Sequence, residues 1–112
     1  MRRQGILLAT TVAGGIALVL WFGFLRGVFF GRRLLAMPLG TERSVVVEAM
    51  GAPDEVRSTF RLAQHRLHER AYEQAAASDA VEFLVWEYML DTVCCAGFDS
   101  SGRLAVRECG TT

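Results

Sequence analysis

The sequence predicts a small α+β protein: an N-terminal transmembrane helix followed by two helices packed on a three-stranded antiparallel β-meander. Three observations lead to this fold class. The chain has 112 residues, which is one domain at most. Residues 5–25 contain no charge, and the last third contains three β-type runs separated by turn residues. We therefore divide the chain into an anchor (1–30), a basic connector (31–40) and a small α+β domain (41–112).

The segment from Gly5 to Leu25 is predicted to be an uncleaved transmembrane helix. At about 1.5 Å per residue it would extend about 31 Å, which matches the hydrocarbon core of a bilayer. The alternative is a cleaved secretory signal, whose apolar region is shorter, about 7–15 residues, and ends at a small-x-small site. No such site stands out after Leu25. Arginines flank both ends of the segment, so the positive-inside rule leaves its orientation open.

Charge is divided unevenly along the chain. The formal net charge is zero, but residues 1–40 contain five arginines and no acidic residue, whereas residues 41–112 carry a net charge of −5. An acidic domain argues against nucleic acid as a partner, because phosphate binding requires a basic surface.

Two helices are predicted after the connector. The first covers about residues 42–50, with Thr41 as its N-cap, Gly51 as the residue that ends it, and Pro53 preventing its continuation. The second covers residues 54–77, where apolar residues recur at steps of three and four. Its start stays open, because either Asp54 or Ser58 could cap it and the residues before Phe60 could instead be extended.

Three strands are predicted to follow: Val81–Leu90, Thr92–Phe98 and Arg103–Cys109. The connection between the last two strands is predicted to be a type I turn with Gly102 in the left-handed region.

The hairpin register, with Phe98 opposite Leu104, predicts which side chains share a face. The core face would consist of Cys94, Ala96, Phe98, Leu104 and Val106. Cys95 and Cys109 would be diagonal neighbours on the other face, with Cβ atoms about 7 Å apart. That separation does not favour a disulfide, although a shift of the strands would permit one. Cys94 is expected to behave as a small apolar residue.

Four short motifs then occur in a fixed order. They are Leu39-Gly40-Thr41, Val46 to Met50-Gly51-Ala52-Pro53, Trp86-Glu87-Tyr88 and Gly97-Phe98-Asp99-Ser100-Ser101-Gly102-Arg103-Leu104. Together with the plan of helices and strands, they resemble the SmpA/OmlA (BamE-like) family over about residues 39–107. The resemblance implies an extracytoplasmic domain, and therefore a C-terminal domain that faces outward from the bacterial inner membrane. A similar fold occurs in β-lactamase-inhibitor-type domains, which suggests binding more than catalysis.

The candidate metal ligands are His65, His68 and Glu69. Their order matches neither the HExxH nor the HxxEH arrangement, so we interpret them as a solvated helix face and predict no metal site. Trp86 and Tyr88 alternate with leucines and are predicted to belong to the core. We predict no catalytic or cofactor-binding residues and no cofactor.

These observations predict a membrane-anchored, non-enzymatic protein-interaction domain of the cell envelope, with the membrane and a further protein of unknown identity as partners. One alternative is a small thiol-redox or other enzyme that uses Cys95 and Cys109. The other is a subunit of a larger membrane complex that acts mainly through its transmembrane helix.

Overall fold

The computed structural model describes residues 2–20, 25–62, 66–89 and 92–110, with side chains from residue 10 onward. The helices in these ranges are α1 (Arg2–Leu20), α2 (Arg26–Leu35), α3 (Arg43–Met50) and α4 (Glu69–Ala77). The strands are β1 (Glu55–Arg57), β2 (Glu82–Tyr88), β3 (Thr92–Phe98) and β4 (Leu104–Gly110).

The strands form one antiparallel sheet in the order β1-β2-β3-β4. The predicted fold of a transmembrane helix, two helices and a three-stranded meander is therefore wrong, although β2, β3 and β4 occupy the predicted strand segments. The fourth strand, β1, lies in a segment that the sequence predicts to be helical. Its pairing with residues 83–85 of β2 supplies main-chain hydrogen bonds that override the local helical periodicity.

The predicted helix over residues 54–77 is correspondingly much shorter. Among its described residues the last nine, α4, are helical, and residues 58–62 form an irregular segment that follows β1. Residues 63–65 lie outside the described ranges. The irregular segment is held by Tyr72 of α4, whose hydroxyl oxygen accepts a hydrogen bond of 2.8 Å from the Leu62 amide.

The transmembrane prediction is wrong as well. Within the described ranges, every helix falls short of the length or apolar character that a membrane crossing requires. Of the predicted span Gly5–Leu25, the structure describes α1 as far as Leu20, and this helix also includes the charged residues Arg2 and Arg3. Residues 21–24 of the predicted span lie outside the described ranges. The predicted single-pass membrane localisation is not supported either, because it depended on that transmembrane helix.

Helix α3 agrees with its predicted position, and Gly51 ends it with φ of +85°. The predicted N-cap is wrong, because Thr41 donates its hydroxyl proton to the carbonyl oxygen of Pro38 at 2.6 Å instead. Glu42 occupies the N-cap position without a side-chain capping bond.

Helix α2 passes through the predicted end of the anchor and the start of the connector, and it packs against α3, β3 and β4. Gly27 on its inner side permits this close approach, because a Cβ atom there would lie 3.2 Å from the Cβ of Tyr88. At Gly31 a Cβ atom would make ordinary contacts, the nearest at 3.6 Å from the Sγ of Cys109. Gly27 thus lets the helix backbone rest on the sheet.

Side chains from both faces of the sheet are buried, which divides the core into two clusters. On the first face, α2 and α3 cover a cluster of Leu34, Val46, Met50, Leu84, Trp86, Cys94, Ala96, Phe98 and Leu104. On the second face, α4 and the irregular segment cover Leu62, Ala75, Phe83, Val85, Val93, Cys95 and Val106. Burial of both faces accounts for the nearly continuous apolar sequence of β3.

The hairpin between β3 and β4 has the predicted turn but not the predicted register. Gly102 has φ of +76°, and Phe98 lies opposite Leu104 as predicted. A β-bulge then adds one residue to β4, so that Gly97 lies opposite Val106. Every later residue of β4 is consequently displaced by one position from the prediction, and Val106 points to the second face.

Candidate functional site

The apolar residues in the described second half of α1, residues 10–20, are exposed to solvent. Five of them have relative exposures of 51–72 %: Val12, Ile16, Leu18, Val19 and Leu20. Because successive helical residues are about 100° apart, Val12, Ile16 and Val19 share one side, whereas Leu18 lies on the opposite side. Residues 10–20 carry no charge on any side and are all exposed. A helix that is apolar all round is normally buried, so α1 requires a covering surface that the rest of the described chain does not supply.

Helix α2 presents two different sides. Its inner side is buried through Gly27, Gly31 and Leu34, which contact the sheet and α3. Its outer side lines a cleft of about 560 Å³, formed among the described residues by Leu25, Val28, Phe29, Arg32 and Arg33. The cleft is therefore apolar at one end and strongly basic at the other.

Arg26 attaches the N-terminal end of α2 to the sheet. Its guanidinium carbon lies 5.5 Å from the ring centroid of Tyr88 and 5.9 Å from that of Phe30, and the two rings are stacked at 6.1 Å. Cation–π contacts of this kind contribute about 0.5–1 kcal/mol at partly exposed sites. Burial raises the pKa of Tyr88 to about 12, so its hydroxyl stays protonated at neutral pH.

The three cysteines are not arranged as the thiol-redox alternative requires. A disulfide joins Cys94 to Cys109, which lie directly opposite each other in β3 and β4. Cys95 is a free, buried thiol on the second face of the sheet, separated by the sheet itself from Cys109 on the first. Burial raises the pKa of the Cys95 thiol to about 11, which leaves little of the reactive thiolate at neutral pH.

The sequence carries one signal for the Cys94–Cys109 pairing. An isolated glycine inside a strand suggests a bulge, and Gly97 is such a residue. A Cβ atom there would lie 2.7 Å from side-chain atoms of both Phe83 and Val106, so the position tolerates only glycine without rearrangement.

Of the candidate metal ligands, the structure describes His68 and Glu69. His65 lies outside the described residues, and within the described ranges no group of three or more metal-ligating side chains occurs. The ring of His68 packs against Gly110, where a Cβ atom would lie 2.5 Å from the ring. Hence His68 joins the start of α4 to the end of β4, in place of the solvated helix face that the sequence predicts for it.

A network of charges fastens the irregular segment to the first two strands. Arg61 donates hydrogen bonds to the carboxylates of Glu87 and Glu55, and Glu55 also pairs with Arg57 at 3.1 Å. The hydrogen bond with Glu87 is the main cause that raises the pKa of Arg61. Each partly exposed ion pair of this type contributes little to stability, about 0–1 kcal/mol. We therefore interpret the network as one that positions the irregular segment on the strands, and not as a binding site.

Trp86 is a core residue, as the sequence predicts. It is 2 % exposed, and its indole N–H donates to the carbonyl oxygen of Gly51 at 3.1 Å. It packs with residues of α2 and α3 on the first face of the sheet.

Comparison with protein-family models, with curated proteins and with solved structures gave no match to this chain. The resemblance to the SmpA/OmlA family consequently stays a prediction based on its four short motifs.

Proposed function

We propose that the chain is a non-enzymatic protein-interaction module, in which a partner protein surrounds α1 and thereby holds the α+β domain in place. The observation that carries this proposal is the exposure of apolar side chains on all sides of α1. Large exposed apolar surfaces mark interaction sites, because leaving them in water costs about 25 cal/mol per Å². A partner with an apolar groove or helix bundle would remove this cost.

Two further features support an interaction module of the cell envelope. The Cys94–Cys109 disulfide is typical of proteins that fold in oxidising compartments. The resemblance to SmpA/OmlA modules likewise implies an extracytoplasmic protein that binds other proteins. The thiol-enzyme alternative has less support, because Cys95 is buried and Cys109 is already bonded to Cys94.

Site-specific photo-cross-linking in living cells tests the proposal. A photoreactive amino acid would replace Ile16, and in separate chains Val12 or Val19, which share its side of α1. The matched control places the same amino acid at Ser101, which is exposed in the hairpin turn. We expect one protein adduct of the same mass from all three α1 positions and not from position 101. Adducts with lipid alone, or protein adducts of unrelated masses at the three positions, would contradict a specific protein partner.

A further inference from the structure

A second cleft lies on the face of the sheet that α4 covers. It has a volume of about 350 Å³, and its described lining comes from residues 58–60 of the irregular segment, from α4 with the turn after it, and from β2. Separate parts of the chain therefore bound it, whereas the described lining of the cleft on α2 comes from one helix and the residue before it. Its volume falls within the range of small-molecule sites, about 300–1,000 Å³. We call this site the aromatic cleft, because Phe60, Tyr72 and Phe83 line it.

The three aromatic rings of the cleft pack edge to face. The centroid of the Phe60 ring lies 4.9 Å from that of Tyr72 and 6.1 Å from that of Phe83, with angles between the ring planes of 88° and 75°. Phe83 is buried, but Phe60 and Tyr72 are only half-buried. Aromatic rings prefer edge-to-face or offset contacts with one another, because the edge of each ring is positive and its face negative. A ligand ring in the cleft would extend this cluster by contacts of the same kind.

Small side chains leave the aromatic cleft unfilled. Ala75, Ala76 and Ala80 complete its apolar lining, and Ala76 is exposed. Because a cavity of about 150 Å³ already holds benzene, the cleft has room for one aromatic ring with its substituents.

The polar groups in the described lining of the cleft are hydroxyls. Ser78 is already bonded, since its Oγ donates to the carbonyl oxygen of Ala75 at 2.6 Å and accepts from the amide of Ala80 at 3.3 Å. Ser58 is exposed, and within the described ranges its hydroxyl forms no hydrogen bond. The hydroxyl oxygen of Thr59 accepts one hydrogen bond from a neighbouring arginine, and its own proton remains available to donate. The cleft thus offers the hydroxyls of Ser58 and Thr59 to a ligand.

The described lining of the aromatic cleft contains no charged side chain. Arg57, which donates to the hydroxyl oxygen of Thr59 at 3.2 Å, is itself paired with Glu55 at 3.1 Å. A charged ligand would therefore lose its hydration without gaining an opposite charge, and an uncharged ligand would avoid that cost.

We propose that the aromatic cleft binds a small, uncharged aromatic molecule that carries a hydroxyl group, of which phenol is the simplest example. The ring of the ligand packs against Phe60 and Tyr72, and its hydroxyl forms a hydrogen bond with Ser58 or Thr59. The site does not depend on the proposed partner of α1.

Titration of the full chain with three small probes, followed by NMR of the backbone amides, tests the chemistry of the site. We expect phenol to bind with a Kd of about 1 mM, which is within the reach of a ligand of its size. Cyclohexanol keeps the hydroxyl but lacks the aromatic ring, so it should bind at least about fivefold more weakly. Benzoate adds a charge and should bind at least about tenfold more weakly.

Adjacent alanines of α4 provide a matched pair of variants that locates the site. Ala76→Phe places a ring in the cleft and should weaken phenol binding at least about tenfold, because the added side chain occupies the space of the ligand. Ala77→Phe adds the same side chain at an exposed position outside the described lining and should change the Kd by less than about twofold. Circular dichroism melts check that both variants fold.

The double variant Ser58→Ala with Thr59→Val tests the hydroxyls. It should weaken phenol binding about two- to tenfold and leave the binding of toluene, which lacks a hydroxyl, unchanged. Equal losses for phenol and toluene would contradict the hydrogen bond.

Three results would overturn the inference. The first is a phenol Kd above about 10 mM. The second is binding that ignores Ala76→Phe, which would place the probe on another surface, such as the exposed side chains of α1. The third is a Kd for cyclohexanol or benzoate equal to that for phenol, which would show that the cleft does not select an uncharged aromatic ring.

Discussion

Cys94 and Cys109 lie directly opposite each other in β3 and β4, with Cα atoms 4.1 Å apart, and a disulfide joins them. The bond sits in the first-face core beneath Gly31 of α2. It therefore links the last strand to the centre of the sheet at the point where α2 rests on both.

The disulfide should contribute strongly to stability. A sequence separation of 15 residues corresponds to about 3 kcal/mol of lost chain entropy in the unfolded state. We expect reductant to lower the free energy of unfolding in urea by about that amount. The double variant Cys94→Ala with Cys109→Ala should have the same, lowered free energy of unfolding with and without reductant. An unchanged urea midpoint for the reduced parent chain would show that the bond is absent or contributes little.

The buried thiol of Cys95 predicts a loss of stability at alkaline pH. Its pKa is about 11 in the folded protein, against about 8.5 in an unfolded chain. The folded state therefore holds the proton more tightly than the unfolded state does. The resulting contribution of Cys95 to the free energy of unfolding is fully present below about pH 8.5 and is lost as pH rises to about 11. The loss should reach about 3 kcal/mol.

Urea unfolding between pH 8 and pH 11 measures this effect, with Cys95→Ala as the comparison. The variant should lack the decline between about pH 8.5 and pH 11 that Cys95 causes. Tyr88, whose pKa burial raises from 10.0 to about 12, adds a decline from about pH 10 upward, but it is present in both chains and cancels in the comparison. Parallel pH profiles for the two chains would show that Cys95 is not the cause.

Trp86→Ala should leave the domain largely unfolded at room temperature. Truncation of a buried tryptophan costs about 3–5 kcal/mol, which is close to the whole stability of a domain of this size. Trp86→Phe keeps most of the apolar contact and loses the hydrogen bond to Gly51, so we expect a cost of about 1–2 kcal/mol. Thermal melts followed by circular dichroism distinguish the three chains. A parent-like melt of the alanine variant would place Trp86 outside the core.

Gly97 in β3 and Gly31 in α2 should respond in opposite ways to substitution by alanine. Gly97→Ala would press a methyl group against Phe83 and Val106 at 2.7 Å, and overpacking of this kind costs about 1–3 kcal/mol. Gly31→Ala meets the Cys109 sulfur at an ordinary 3.6 Å and removes a glycine from a helix, so stability should rise by up to about 1 kcal/mol. Equal effects in urea unfolding would refute the close packing assigned to Gly97.

The sequence by itself determined the parts of this protein that depend on neighbouring residues. Gly51 ends α3 because its left-handed conformation suits glycine, and this is visible from the residues around it. The turn before Leu104 follows from Asp99, whose side chain accepts hydrogen bonds from the amides of Ser101 and Arg103. The three strands from Glu82 onward were predictable from their apolar and β-branched composition.

Only the tertiary structure decided the features that depend on distant residues. Residues 55–57 have a helical pattern but become a strand, because β2 offers an unpaired edge about 30 residues later in the chain. The bulge near Gly97 arises where Phe83 and Val106 crowd that position from neighbouring strands, and its one-residue shift places Cys109 opposite Cys94 instead of Val93. Helix α2 joins the domain for the same reason: the close contact at Gly27 exists only against the sheet surface that separate strand segments build.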